Sequence, residues 1–402
     1  MKALGYLVPL VTLPYLTRVL GPEEWGRVAW MQVILGYFSL LTDWGFSWSG
    51  TRKIAALRNE PAALSEAFLA GWAVQWGLCA ISIATLLGLA LHAPFFAGFG
   101  EFAPYGACVI LSGALFPVWL LAGLERMREI AVLQLLIRAA AVPLVFLLVD
   151  APGDGRFVIA ASGATGIIGG LASVLWIRRH LGLRWHWPDP RRVREEFLES
   201  GSIFVSRAWI VLYTSLTPTI LGVMTNTEAV GQFMLASRIQ SAAQGLLGPI
   251  SQALFPRMSY LFATDRDEAG ALLRRSGSAI LVITLAASVA LFAFAREIID
   301  LVSGGSFDQA AEILRWLSPL PFVVGLSNII GVQFMLPNNM TQAFNRILAS
   351  SGMISLVIIW PLIHFRHAAG AAIGTLLAEC FVTAAMVSFV ILFRRRARHE
   401  NI

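Results

Sequence analysis

Charge is scarce in this sequence, and its scarcity excludes most soluble folds. Only 13% of the 402 residues are charged, 57% are apolar, and the mean hydropathy is +0.71. A soluble globular protein carries about 25% charged residues. Runs of about 20 apolar residues, sufficient to cross a hydrocarbon core of roughly 30 Å, recur along the chain. The composition therefore predicts an all-α, multi-pass integral membrane protein.

Residues that support catalysis or metal binding are few and scattered. The three cysteines, Cys79, Cys108 and Cys380, lie far apart within apolar runs, which favours small core residues over a disulfide or a metal site. No histidine belongs to a cluster with metal-ligand spacing, and no glycine-rich loop precedes a Lys-Ser or Lys-Thr pair. No segment between the apolar runs is long enough for a soluble catalytic domain. We therefore expect no metal, no cofactor and no enzymatic activity.

Hydropathy predicts twelve transmembrane helices in two lobes of six. An N-terminal lobe (1–180) is followed by a cytoplasmic linker (181–201) and by a C-terminal lobe (202–402) that ends in a short basic tail. The predicted spans lie near residues 3–20, 28–51, 67–91, 102–123, 131–149, 157–177, 202–223, 229–256, 276–296, 309–336, 344–363 and 369–393.

Helix-start signals occur in the linker and again after the eighth span. Asp189 can cap a helix whose first residue is Pro190, and the basic and apolar residues that follow are typical of a helix lying on anionic headgroups. Asp265 and Glu268 have capping-box spacing. We interpret both segments as connectors on the cytoplasmic surface.

Lysine and arginine are distributed unevenly across this topology. Of these 30 residues, 21 fall on the side that carries both termini, 5 fall on the opposite side, and 4 lie in spans or at their edges. Because positive residues favour the cytoplasmic side, both termini are predicted to be cytoplasmic. The net charge of +6 is spread along one membrane face, which argues against a nucleic-acid partner.

The two halves also resemble each other in sequence. Each half has a glutamate three residues before a glycine after its first span, at an offset of 205, with a proline upstream, and each has a Leu-Ser pair followed by proline later on. Such internal repeats are how many transporters build a central site. The matched residues are Glu23 and Glu228, Pro14 and Pro218, and Ser112 with Pro117 against Ser318 with Pro321.

Several arginines fall where the chain should be in lipid. A charge at the bilayer centre costs several kcal/mol at least and usually faces a cavity, and arginine binds phosphate in a bidentate manner. These positions indicate a phosphate-bearing substrate. The candidate binding residues are Arg18, Arg52, Arg138, Arg207 and Arg238.

Some of these residues could instead anchor the chain at the membrane surface. Arg138 and Arg207 could extend back to the headgroups, and Arg52 with Lys53 could anchor the cytoplasmic rim. Arg315, which is next to Trp316, is interpreted as an interface anchor.

Two carboxylates are candidates for ion coupling. Asp43 lies nine residues before Arg52, which corresponds to about 13 Å along a continuous helix, and Glu379 lies within the last span. Either could load H⁺ or Na⁺, and Asp43 could instead pair with a cavity arginine when no substrate is bound. Water or a neighbouring helix could also stabilise Asp43. Trp44 and Trp48 flank it, in positions suited to packing or to stacking on sugar rings.

Two motifs carry a family resemblance. The segments LPYLTRVLGPEEWG (13–26) and LLTDWGFSWSGTRK (40–53) resemble those of the Wzx-type polysaccharide flippases, which belong to the MATE-like MOP superfamily. ALFPVW (114–119), GPISQALFPR (248–257) and LSPLP (317–321) are similar too. The resemblance covers nearly the whole chain, although the segment before the first span is shorter than in most members.

The resemblance implies what the protein moves. It implies a MATE-like fold of two six-helix lobes around an arginine-rich cavity, in the bacterial inner membrane. It also implies translocation of undecaprenyl-pyrophosphate-linked oligosaccharide to the periplasmic leaflet, for O-antigen or exopolysaccharide synthesis. A polysaccharide polymerase and a chain-length regulator are the expected protein partners.

Two other functional classes agree less well with the sequence. A MATE-like multidrug or cation antiporter would favour an acidic cavity, whereas this interior is mostly basic. A membrane enzyme such as a glycan polymerase or ligase would be expected to carry a long periplasmic loop, and the predicted outside loops are short.

Overall fold

A computed structural model describes residues 2–96, 98–245 and 247–399, and within these residues all regular structure is helical. Side chains are described except those of 2–10, 95, 206, 209, 210, 212–214 and 394–399, so the predicted basic tail lies outside the described side chains. The chain forms two compact units, a first unit of Met1–Thr219 and a second unit of Ile220–Ile402.

The first unit contains seven α-helices and most of an eighth within its described residues, with a short 3-10 helix at Pro94–Phe96. One of them, α1, is broken at Gly21, where φ is 69°. The helices are α1 (Lys2–Asp43), α2 (Ser49–Leu57), α3 (Pro61–His92), α4 (Ala103–Leu115), α5 (Val118–Gly123), α6 (Met127–Leu148), α7 (Gly155–His180) and α8 (Pro190–Met224).

The second unit begins within the last turns of α8 and continues with seven more helices in its described residues. A π-helical turn follows α14 at Gly331–Met335, and the last helix is broken at His367, where φ is 47°. The helices are α9 (Thr227–Gln244), α10 (Leu247–Thr264), α11 (Arg266–Ala293), α12 (Ala295–Ser303), α13 (Ala310–Leu317), α14 (Leu320–Ile330) and α15 (Thr341–His399).

Both units contain helices that are long and apolar enough to span a membrane. Among the described residues, seven helical stretches are long and apolar enough to cross a bilayer. The longest is Thr341–Phe393, which has 53 residues and includes the break at His367. The chain is therefore an all-helical integral membrane protein.

Several predicted spans are divided in the structure, among them 102–123, between α4 and α5, and 309–336, between α13 and α14. The span predicted at 28–51 ends at Asp43, because Trp44 and Gly45 have positive φ angles of 46° and 87° and turn the chain before α2. The estimate that Asp43 lies about 13 Å along a continuous helix is therefore wrong. The span predicted at 229–256 is likewise divided between α9 and α10.

The predicted helix starts are confirmed. The Asp189 carboxylate accepts a hydrogen bond of 2.9 Å from the Arg191 amide, at the start of α8. Asp265 accepts from the amides of Asp267 and Glu268 at 3.0 and 2.9 Å. These side chains satisfy amide groups that have no partner within their helices.

The core of the first unit forms around Trp119. Its ring stacks on Phe46 with centroids 5.4 Å apart, and its Nε1 donates to Gln75 Oε1 at 2.9 Å. Gly50 brings α2 against this ring, since a Cβ there would lie 2.6 Å from it. This packing fixes α2 and the chain before it.

The cysteines follow the prediction only in part. Among the described residues Cys79 is buried, Cys108 is half-buried and none is in a disulfide. Cys380 is exposed, so its assignment to the core is wrong. An apolar helix in a membrane protein is apolar on its outward face as well, and burial cannot be inferred from such a run.

Candidate functional site

The candidate site lies where α1 turns into α2, a segment that we call the elbow (residues 43–49). At Gly45 the backbone of the elbow meets α8. A Cβ on Gly45 would lie 3.0 Å from the Ser200 oxygen and 3.0 Å from the Phe204 nitrogen. Because φ is also positive here, glycine satisfies both the conformation and the close approach.

An aromatic stack holds the elbow against α8. The Trp44 ring is stacked on Phe197 and Phe204, with centroid distances of 4.6 and 4.3 Å. Its Nε1 also donates to the Phe197 carbonyl at 2.8 Å. Trp44 therefore has a packing role, whereas Trp48 is 60% exposed.

An ion pair joins the two elements just beyond the stack. Arg207 Nη1 on α8 donates to Asp43 Oδ2, and Ser47 Oγ donates to the other carboxylate oxygen at 2.5 Å. The side chains of Arg207 and Asp43 are 27% and 20% exposed, so the pair is sheltered but remains accessible. The Arg207 guanidinium also lies 5.9 Å from the centroid of the exposed Trp48 ring.

A second cluster of charges lies at the start of α8. Lys53 Nζ donates to Glu196 at 2.5 Å and to Glu199 at 3.1 Å. Arg52 lies 3.7 Å from Glu199 but is 74% exposed. Burial alone would lower the pKa of Lys53, but the two carboxylates outweigh it, and the pKa is raised above its ordinary value of 10.5.

Polar contacts continue along the same face of α8. Ser49 and Ser200 hydroxyls are 2.9 Å apart, and the Tyr37 hydroxyl donates to the Ser215 carbonyl at 3.0 Å and contacts the Thr219 hydroxyl at 2.9 Å. The α8 positions involved recur every three or four residues, or at multiples of that spacing, as expected for one helix face. They are Glu196, Ser200, Phe204, Arg207, Ser215 and Thr219.

A cavity of about 360 Å³ opens beside the ion pair. Asp43 lines it, together with Trp119, Phe116 and Gly113. Six neutral polar side chains also line it, and we call it the hydroxyl cavity after the five that carry hydroxyls. They are Ser39, Thr42, Ser47, Ser112 and Ser162, with Gln75 as the sixth.

The remaining predicted site residues are dispersed. Arg18 on α1 and Arg138 on α6 are exposed. Arg238 on α9 and Glu379 on α15 are half-buried within the second unit. Arg315 is exposed in the last turn of α13. Of the predicted residues, Asp43 and Arg207 are in direct contact, and Arg52 follows Asp43 on α2.

Sequence reasoning missed the residues through which α8 contacts the elbow. The pattern of residues places Glu196 and Glu199 in an interfacial helix, although Glu196 is only 5% exposed. Their spacing to Arg207, along one helical face, could have indicated that the linker helix continues into the membrane with one polar side. No group of three or more metal-ligating side chains occurs in the part of the chain that the structure describes.

Known proteins with related sequences are transporters by name. A protein of Escherichia coli (strain K12) is 32% identical over 96% of this chain and 93% of its own length. A protein of Shigella dysenteriae is 26% identical over 96% of each chain. Both carry the name "Putative O-antigen transporter", which agrees with the prediction of a transporter and not an enzyme.

Solved structures with a similar fold are also transporters. An inward-facing multidrug resistance MATE family transporter of the MOP superfamily is 15% identical, with a TM-score of 0.70 over 97% of this chain and 94% of that one. The lipid II flippase MurJ, in an inward closed conformation, is 12% identical, with a TM-score of 0.67 over 97% and 87% of the two chains. At such identities the likeness establishes the MATE-like fold alone.

A family model supplies the assignment. The model described as polysaccharide biosynthesis protein matches residues 1–262, a range that includes the elbow, the contacting face of α8 and the hydroxyl cavity. With the 32% identical relative matched over nearly its full length, this chain belongs to the polysaccharide biosynthesis protein family of the MATE-like fold.

Proposed function

We propose that this protein is a flippase for lipid-linked glycan. Its substrate would be an undecaprenyl-pyrophosphate-linked oligosaccharide repeat unit, moved from the cytoplasmic to the periplasmic leaflet of the bacterial inner membrane for O-antigen or exopolysaccharide synthesis. We further propose twelve membrane crossings in two six-helix lobes, with both termini in the cytoplasm and alternating access between the lobes. A polymerase and a chain-length regulator would act on the product.

The observation that carries this proposal is the pair of Arg207 with Asp43. A guanidinium within a predicted membrane span such as 202–223 is costly unless a counter-charge is present, and Asp43 supplies one for Arg207. The pair is partly accessible, so an anion that reaches it could compete with the carboxylate. A pyrophosphate offers more acceptor oxygens than one carboxylate and suits the bidentate geometry of arginine.

The exchange of partners suggests how transport could be coupled to an ion. When pyrophosphate takes Arg207, the Asp43 carboxylate loses its counter-charge and gains affinity for H⁺ or Na⁺. Binding of the anionic lipid and of the cation would then be linked, and by reciprocity each would favour the other. Glu379 is the second candidate for ion coupling, and Arg18, Arg52, Arg138 and Arg238 are further candidates for contact with phosphate or acidic sugar.

A multidrug or cation antiporter is the alternative that the fold alone allows. The names of the sequence relatives favour the flippase. So does the charge of the first unit, because a cationic drug would be repelled by Arg207 and would have to compete for a carboxylate that is already paired.

The test uses cells in which the gene is deleted. Deletion should cause undecaprenyl-linked oligosaccharide to accumulate on the cytoplasmic leaflet, and the wild-type chain should clear it. Arg207→Ala with Arg238→Ala should insert normally and fail to restore surface glycan. Arg58→Gln, which removes an exposed arginine 3.4 Å from Glu125, is the matched control and should restore it. Normal glycan output from the double variant would remove both arginines from the site.

A further inference from the structure

We propose that the hydroxyl cavity is a carbohydrate subsite that binds the sugar bonded directly to the pyrophosphate. This inference rests on the proposed function, in which the substrate carries a glycan on a diphosphate. Asp43 both lines the cavity and pairs with Arg207, so the cavity adjoins the proposed phosphate site. A sugar bound in the cavity would therefore keep its diphosphate within reach of Arg207.

The volume of the cavity suits a single sugar ring. The cavity of about 360 Å³ lies near the lower end of the range of about 300–1,000 Å³ that is typical of small-molecule pockets, which gives room for one sugar. A lone cation with its ligands would need only a small part of this space.

The hydroxyls of the cavity offer acceptors to a ligand. Each donates its own proton within the protein, four of them to a carbonyl of the preceding helical turn and one to a carboxylate, which leaves oxygen lone pairs available. A ligand that fits these acceptors must bring several donors, as a polyol does. The donor and acceptor pairs are Ser39 with Leu35, Thr42 with Phe38, Ser47 with Asp43, Ser112 with Val109, and Ser162 with Val158.

A buried amide adds a donor on the cavity wall. Gln75 is 4% exposed, and its Oε1 accepts from Trp119 Nε1. Among the described residues its Nε2 has no acceptor within the protein, although the side chain lines the cavity. Its N–H groups are therefore available as donors at the cavity wall, and a hydroxyl or acetamido oxygen of a sugar would accept from them.

The cavity has an open side and a closed side. Ser39 and Gly113 are exposed, whereas Thr42 and Gln75 are 3% and 4% exposed. A ligand would therefore enter past Ser39 and Gly113 and reach the buried polar groups. Trp119 and Phe116 supply apolar surface for the faces of a ring.

Gly113 allows the cavity to be occluded without disturbing the fold. A Cβ at Gly113 on α4 would meet nothing within 4 Å, and the same is true of Gly77 on α3, which does not line the cavity. Gly113→Leu and Gly77→Leu therefore add the same side chain and the same helix propensity. The first enters the cavity and the second does not. Ser162→Ala removes one acceptor with almost no change of shape and serves as a second test variant.

The experiment measures the affinity gained by adding one sugar. Full-length protein in lipid nanodiscs is titrated with undecaprenyl pyrophosphate and with the same lipid carrying one N-acetylhexosamine or one hexose. For the best sugar, we expect the wild type and Gly77→Leu to bind the glycosylated lipid at least about tenfold more tightly. For Gly113→Leu the affinities for the two lipids should differ by no more than about twofold. For Ser162→Ala the gain in affinity from the sugar should be intermediate.

The outcomes separate this inference from the proposed function. Arg207→Gln should weaken the binding of both lipids by a similar factor. The gain in affinity that the added sugar provides should stay unchanged. A sugar gain that is equal in Gly113→Leu and Gly77→Leu would overturn the carbohydrate subsite while leaving pyrophosphate binding intact. Failure of the wild type to bind either lipid would overturn the proposed function as well. If Gly113→Leu changed the affinity for Na⁺ and left the affinity for both lipids unchanged, the cavity would be a cation site instead.

Discussion

The two units of this protein have helix breaks in the same order along the chain, but the polar side chains near the breaks differ. In the first unit α1 is broken at Gly21, and α4 is separated from α5 at residues 116–117. In the second unit the chain is broken between α8 and α9 at residues 225–226, and α13 is separated from α14 at residues 318–319. These are the places where the sequence repeats glutamate, glycine and proline, and the breaks are consistent with duplication.

The units differ at the next bend along the chain, which lies at Gly45 in the first unit and at Gly245 in the second. The bend of the first unit at Gly45 carries the Asp43 and Arg207 charges. The corresponding bend of the second unit, at Gly245, follows a neutral pair in which Gln240 donates to Gln244 at 2.6 Å. An ion pair thus adjoins the bend of the first unit, whereas a neutral pair of amides precedes the bend of the second.

The largest effect of a substitution is expected at the break in α15, where two helical segments meet at His367 with no loop between them. A Cβ on Gly370 would lie 1.9 Å from the Leu362 carbonyl oxygen, and backbone cannot move aside. In the first unit a Cβ on Gly155 would lie 2.4 Å from Glu24 Oε1 and 2.8 Å from Val28 Cγ2, which are side-chain and not backbone atoms. Gly370→Ala should therefore abolish most folded protein, and Gly155→Ala should cause a smaller loss.

The yield of monodisperse detergent-extracted protein measures this difference. Gly270→Ala is the control, since its Cβ would meet only Arg274 at 3.6 Å. Equal yields for Gly370→Ala and the control would show that the turn of α15 is looser than described.

The next effect concerns the bends themselves. Gly45→Ala forces a side chain into positive φ and against α8, at a cost of about 1–3 kcal/mol. Gly245 has a φ of −58°, which alanine adopts without strain. Gly45→Ala should lower the thermal midpoint in detergent by several degrees, whereas Gly245→Ala should leave it nearly unchanged. Similar midpoints for the two variants would contradict the difference between the bends.

Double-mutant cycles compare the charged and neutral pairs directly. Asp43→Asn leaves Arg207 without its counter-charge, and Arg207→Gln removes the need for one, so the changes should couple by about 1–3 kcal/mol. Gln240→Ala and Gln244→Ala should couple by only about 0.5–1 kcal/mol, as expected for a neutral hydrogen bond. Unfolding free energies in mixed detergent measure both cycles. Equal coupling in the two units would remove the energetic basis of the comparison.

Much of the fold could be predicted from the sequence because its signals are local. The apolar runs, the caps at Asp189 and Asp265, and the repeated breaks each depend on a few neighbouring residues. The elbow could not be predicted, because Trp44 is an unusual residue for positive φ and the apolar pattern continues through it. The bend at Gly245 has an ordinary helical φ of −58°, so no residue preference marks it in the sequence either.

The candidate site could be predicted as residues but not as contacts. Asp43 and Arg207 stood out as charges within apolar runs, yet they are 164 positions apart. Their contact depends on how α8 registers against the elbow, and that register is set by Trp44 between two phenylalanines and by the close approach of Gly45. The hydroxyl cavity likewise assembles single polar residues from several helices, none of which is unusual in its own segment.

The smallest effect is the pH dependence of the charge cluster at the start of α8. Because the folded-state pKa of Lys53 is raised above 10.5, its contribution to stability is fully present below that pH and is lost as the pH rises through the raised value. The difference in thermal midpoint between the wild type and Lys53→Gln should therefore stay constant from about pH 7 to about pH 10 and shrink only above it. Arg52→Gln is the control, because Arg52 is 74% exposed and does not titrate in this range, so its difference should be small throughout. If the difference in thermal midpoint between the wild type and Lys53→Gln disappeared below about pH 9, the effect of burial on the pKa of Lys53 would outweigh that of the two carboxylates. The first turns of α8 would then not help to hold it to the elbow, and Trp44 and Arg207 would do so alone.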